Sequence, residues 1–253
     1  MSALAGAWRV WLRNAAVWRK SWKTSLVGSV GEPLLYVLGL GYGLATVVPD
    51  VDGSGYLRFV APGLMLSSVM QSATIEATYM SFTKMEHQRV FAGMILAPLG
   101  FGDILLGEIL WAMTKGLICG GAVLTLLLAA GVAPLWPGLL ALPLILLAGF
   151  IFASLGLVVT SVARGYESFN YYFTLWIAPM FFFSGIFFPV RKLGPWVERL
   201  SWVFPLTPLV ALSRRVLTGT ADIPLLTALA AAAFFAAAAF LAALSLMRRR
   251  FIP

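Results

Sequence analysis

Residues 223–247 carry no charged side chain, and the next three positions are Arg248, Arg249 and Arg250. A bilayer core of roughly 30 Å is crossed by about 20 apolar residues at about 1.5 Å each. A run of this length and polarity spans as a helix, and the arginine triplet reads as its stop-transfer signal. Five more runs have comparable character: 26–48, 59–82, 104–131, 137–163 and 169–188. The chain is 60% hydrophobic and 11% charged, with a mean hydropathy of +0.91, whereas soluble domains carry about 25% charged residues. The pattern therefore predicts an all-α polytopic membrane protein with six transmembrane helices. Its 253 residues form one domain, 1–253, with residues 1–23 as an interfacial helix and 24–253 as the membrane region. No internal repeat is visible, and no length is left for a soluble catalytic domain.

Residues 1–23 lack the uninterrupted apolar core and cleavage site of a signal peptide. Trp8, Trp11, Ala15, Trp18 and Trp22 recur at steps of three and four, while Arg9, Arg13 and Lys20 fall largely on the other side. That division predicts an amphipathic helix lying on the membrane surface, rings at headgroup depth and cations toward anionic lipid.

The net charge of +8 does not point to nucleic acid, because the basic residues gather at span ends rather than on a soluble domain. Arg9, Arg13, Arg19, Lys20, Lys23, Lys84, Arg89, Arg164 and the terminal triplet fall on one side, and the loops 49–57 and 132–136 hold no Lys or Arg. The positive-inside rule then places both termini in the cytoplasm. The stretch 189–222 breaks the pattern with Arg191, Lys192, Arg199, Arg214 and Arg215 outside, interleaved with Trp196, Trp202, Phe204 and leucines. Pro195, Pro205 and Pro208 divide it into two short helices expected to dip into the outer interface before the last span. Such broken backbone needs a protein or aqueous cover.

Between the second and third spans lies FTKMEHQRVFAGMILAPLGFGDILLGEILWAMTK, residues 82–115, a charged amphipathic stretch expected to form a cytosolic coupling helix and an ordered cytosolic surface. Ionisable groups inside the bilayer cost about 2.5–3.5 kcal/mol each on insertion scales, so Glu76, Glu108, Lys115 and Glu32 demand a reason. Glu76 or Glu108 pairing with Lys115, a polar lining for a head group, and a proton-coupling carboxylate at Glu76 are all open. The polar patch around Glu76 makes Gln71, Ser72, Thr74, Glu76 and Tyr79, with Lys115, candidates for a translocation path. The aromatic fifth span, FNYYFTLWIAPMFFFSGIFFP, is packing or a surface for sugar rings and lipid tails.

Enzyme signatures are missing. None of the lysines at 20, 23, 84, 115 and 192 follows a glycine, which excludes a Walker A loop. One histidine, His87, and one cysteine, Cys119, cannot make a His/Cys metal site or an intrachain disulfide.

Residues 96–116, LAPLGFGDILLGEILWAMTKG, closely resemble the matching stretch of NodJ-type permeases within the ABC-2 type transporter family. GEPLLYVLGLGYGL (31–44) and FFSGIFFPV (182–190) are similar to the wider family. The resemblance implies a homodimeric permease that exports an amphiphilic glycan such as a lipo-oligosaccharide across the bacterial inner membrane. It implies a cytosolic NodI-type ATPase partner that carries ATP and Mg, with no cofactor on this chain. That partner would dock on the coupling segment through Lys84, Glu86, His87, Gln88, Arg89 and Phe91. Alternatives are drug or antibiotic export by an ABC-2 pump, an ion-coupled carrier using Glu76, and a membrane scaffold without transport.

Overall fold

A computed structural model describes residues 3–48, 50–51, 54–97, 99–220 and 223–251, with side chains except at 3, 4, 26, 28–30, 32, 40–42, 54 and 251. Glu32, one of the charged candidates, thus has its side chain outside the described residues. The helices are α1 (Ala3–Trp18), α2 (Trp22–Tyr36), α3 (Tyr56–Ile75), α4 (Val90–Leu96), α5 (Phe101–Ala129), α6 (Leu135–Val162), α7 (Glu167–Tyr172), α8 (Ala178–Phe183), α9 (Pro195–Ser201), α10 (Leu206–Thr218) and α11 (Leu225–Phe251). The acidic loop after α2 adds a two-residue antiparallel ladder, β1 (Asp50–Val51) with β2 (Ser54–Gly55), a small departure from the all-α expectation.

Among the described residues, three helices are long and apolar enough to cross a membrane: α5, α6 and α11. At the other three expected spans the helical backbone is continuous over 22–45, 56–87 and 167–183, but π turns interrupt it. They occupy Val37–Gly43 after α2, Glu76–Met80 and Thr83–His87 after α3, and Phe173–Ile177 between α7 and α8. A π turn widens the ring of backbone bonds and leaves carbonyls in want of donors. Thr160 of α6 supplies one, its hydroxyl donating to the Ala77 carbonyl at 2.7 Å.

Helices α3, α5 and α6 pack together at the centre, with α11 against α6, and α10 seated among α3, α6 and α11. One core cluster joins Met65 and Leu66 of α3, Phe152 of α6 and Leu209 of α10. A second joins Phe82, Phe91, Ile109, Phe169 and Met247. Close helix approaches require glycine at Gly107 and Gly156, among others. A Cβ on Gly107 would lie 2.5 Å from Val10 Cβ, and one on Gly156 would lie 2.6 Å from Ala77 Cβ.

Several boundaries differ from the sequence reading. The interfacial helix stops at Trp18 instead of residue 23, and Trp22 already belongs to α2. Nor is α1 only a lipid-facing helix: Ala7, Val10 and Asn14 are buried, and α1 packs along α5. The charged stretch is not one helix, because Arg89 sits at φ 50 and separates the π turn from the short α4. The fifth span ends at Phe183, short of residue 188, where Ser184 and the positive-φ Gly185 turn the backbone away. Helix α10, expected at an interface, is instead core: Leu206, Leu209, Val210, Leu212 and even Arg214 are buried. Pro208 does not break it, since a proline in the first helical turn removes no intrahelical bond.

Candidate functional site

The costly charges meet where α1, the end of α3 and α5 converge. Glu108 on α5 is 2% exposed, and Lys84 from the Thr83–His87 turn reaches it with Nζ 2.5 Å from Oε2. The same ammonium lies 3.5 Å from Glu76 Oε1, so one lysine serves two carboxylates. Neutral donors add to the pairing: Asn14 Nδ2 donates to Glu108 Oε1 at 2.8 Å, Ser81 Oγ to Oε2 at 3.0 Å, and Trp111 Nε1 to Glu76 Oε1 at 2.9 Å. A buried charge is tolerable when paired and hydrogen-bonded, a condition that Glu108 meets with both oxygens.

Of the open readings, pairing of Lys115 with Glu76 or Glu108 is not the arrangement found. Lys115 Nζ donates to Ser25 Oγ of α2 at 2.7 Å and sits 5.2 Å from the Trp18 ring centroid. Although Glu108 and Lys115 share a helix face, the lysine stem carries its head toward α2 while Lys84 enters from another element.

Beside this cluster opens a cavity of about 630 Å³. Ser67, Ser68, Gln71 and Ser72 of α3 form one wall, and Phe173, Phe181 and Phe182 face it from the α7–α8 run. Of the path candidates, Gln71, Glu76 and Lys115 line the cavity, as does Ser72. The amide oxygen of Gln71 is buried with no hydrogen-bond partner, an acceptor left over in the wall. Thr74 and Tyr79 lie elsewhere. Thr74 is fully buried, and Tyr79 stacks on Tyr166 with centroids 6.1 Å apart while donating to Asn170 Oδ1 at 3.1 Å.

In the coupling segment, Glu86, His87, Gln88 and Arg89 are exposed, whereas Lys84 and Phe91 are buried and face inward. His87 stacks on Tyr166 of the α6–α7 turn at 5.4 Å. Glu86 accepts from Arg250 Nη2 at 2.7 Å, and Nη1 of the same guanidinium donates to the carbonyls of Thr160 (2.7 Å), Ser161 (3.0 Å) and Ala163 (2.7 Å). One arginine therefore closes the α6 C-terminus, where the helix dipole favours a cation, and ties it to the segment. Sequence reasoning read Arg250 only as a stop-transfer charge and missed this role. On the opposite side of the molecule Arg214 donates through Nη2 to the Gly185 carbonyl at 2.7 Å and lies 3.9 Å from the Phe59 ring centroid.

Membrane-long apolar helices, a buried ion-paired cluster and a large cavity lined by both polar and apolar side chains describe a multi-pass membrane protein. Residues 6–218 match the model of the ABC-2 type transporter family, and the chain belongs to that family. It is 38% identical over 244 residues to nodulation protein J of Sinorhizobium fredii, covering 96% of this chain and 93% of that one. To nodulation protein J of Bradyrhizobium diazoefficiens it is 36% identical, over 100% of this chain and 97% of the relative. The inner membrane transport permease YadH of Escherichia coli is a more distant relative, 26% identical over 95% of this chain and 93% of its own.

Proposed function

We propose that this protein is the membrane-spanning half of an ABC exporter that moves an amphiphilic glycan outward across the bacterial inner membrane. Two copies, each with six spans and both termini in the cytoplasm, form the path. A separate cytosolic ATPase binds ATP and Mg and docks on the exposed residues Glu86, His87, Gln88 and Arg89. The observation that carries the substrate class is the cavity of about 630 Å³, serine- and glutamine-lined on one side and phenylalanine-lined on the other. Its size falls within the roughly 300–1,000 Å³ of ligand pockets. Its two walls suit a molecule with a hydroxyl-rich part and an apolar part. The similarity to nodulation protein J supports the glycolipid reading over a purely apolar drug.

The ion-coupled reading of Glu76 has less in its favour, because Trp111 and Lys84 already hold that carboxylate. The test is coexpression with the ATPase of the same operon, followed by mild detergent extraction. A complex with two copies of each subunit, whose ATP hydrolysis falls on changing residues 86–89, is expected. Glu76→Gln should lower export of a lipid-linked oligosaccharide while leaving that complex intact. A chain that purifies alone and supports proton-dependent uptake in vesicles overturns the proposal.

A further inference from the structure

A second cavity, about 240 Å³, lies between α1 and the Thr83–His87 turn, with Arg13, Asn14 and Trp18 on the α1 side and Gln88 on the other. It and the larger cavity share the same four lining residues: Ser25, Glu76, Met80 and Lys115. The two spaces are therefore back to back, and those four side chains are the partition. At about 240 Å³ the smaller one falls below the roughly 300–1,000 Å³ of a complete ligand pocket, so it takes part of a ligand and not the whole. Its lining carries amide, guanidinium and indole groups where the larger cavity has phenylalanines.

The partition is held unequally. Glu76 is locked by Lys84 and Trp111, and parting a buried ion pair is strongly unfavourable. Lys115 is held to α2 by the neutral Ser25 hydroxyl and leans on the Trp18 ring. A ligand hydroxyl can replace Ser25 Oγ on that ammonium one for one, so this side opens at little cost. Met80, 47% exposed and flexible, is the other yielding member.

We propose that the smaller cavity is the antechamber of the larger one, and that Lys115, Ser25 and Met80 form the neck through which a polar head group passes from the α1 side. The inference rests on the larger cavity being the transport path, but its test needs neither substrate nor ATPase. In a Cys119→Ala background, single cysteines replace Ser21, which lines the antechamber, and Gln71, which lines the larger cavity. A membrane-impermeant thiol reagent is then applied to either face of sealed vesicles.

Ser21→Cys reacts quickly from the face bearing α1, and Gln71→Cys reacts more slowly from that same face. Adding Lys115→Met raises the rate at Gln71→Cys by about tenfold, the scale of the charge-assisted hydrogen bond to Ser25 that it removes; Met80→Ala raises it by clearing a side chain from the neck, and neither changes Ser21→Cys. The unchanged Ser21→Cys rate, with an unaltered size-exclusion profile, certifies the fold of each variant. Reaction of Gln71→Cys only from the opposite face, indifference of its rate to both neck variants, or an inert Ser21→Cys would each overturn the series arrangement. Failure of ATPase copurification with these labelling results intact would instead strike the exporter reading alone.

Discussion

Replacing Lys84 by methionine leaves two carboxylates facing each other with their shared cation gone. Glu108 is 2% exposed by side chain and Glu76 12%, so neither can recover its hydration in place. Removing one partner of a buried pair costs about 3–5 kcal/mol, chiefly because the remaining charge is stranded. For a chain of this size that corresponds to a fall in melting temperature on the order of 10 °C. Glu108→Gln removes one negative charge yet keeps an acceptor for Asn14 or Ser81, and should cost less, about 1–3 kcal/mol. In the double variant Lys84→Met with Glu108→Gln only Glu76 is left without its cation, and its losses should sum to clearly less than those of the two single variants. The assay is thermal unfolding followed by size-exclusion of detergent-solubilised protein, run on the four members of the cycle. Strictly additive losses, or a Lys84→Met variant as stable as the parent, would refute the claim that this lysine neutralises a buried acidic pair.

Arg250→Ala should free residues 83–89 and the α6 C-terminus together, seen as faster amide hydrogen exchange in both regions, while Arg249→Ala changes neither. Gly107→Leu should lift α1 off α5, because even a Cβ there meets Val10 at 2.5 Å; the readout is new protease cleavage near residues 19–21 with the membrane helices intact. Arg214→Ala should cost about 2–4 kcal/mol of stability through its lost bonds to the Phe59 and Gly185 carbonyls, read as a lower melting temperature, with Arg214→Lys recovering part.

The positions of the helical segments were legible because apolar length is a local property, and so was the amphipathic character of α1. The acidic residues of the cluster were legible too, since Glu76 and Glu108 sit in runs where a charge must be explained. Their partner was not. Residues 108 and 115 share a helical face, which favours Lys115, but the reach of Lys84 from a π turn onto α5 is a tertiary fact. The π turns themselves have no local signature in VLGLGYG, EATYM or FTLWI that separates them from ordinary helix. Arg214 and Arg250 look alike in sequence as charges near span ends. One is a buried strut across α3 and the Gly185 turn, the other a clasp on α6.

Each π turn stores one residue more than an α turn of the same rise. Passing that surplus residue along a helix rotates everything it crosses by about 100°, while the backbone bonds are exchanged a few at a time. Two of these turns, Glu76–Met80 and Phe173–Ile177, place side chains in the wall of the larger cavity. Shifting the surplus past Glu76 toward Ile75, or past Ile177 toward Ala178, would swing those side chains out of the wall and bring their neighbours in. The cavity could then change its polarity by a twist within single helices, with no helix as a whole having to move.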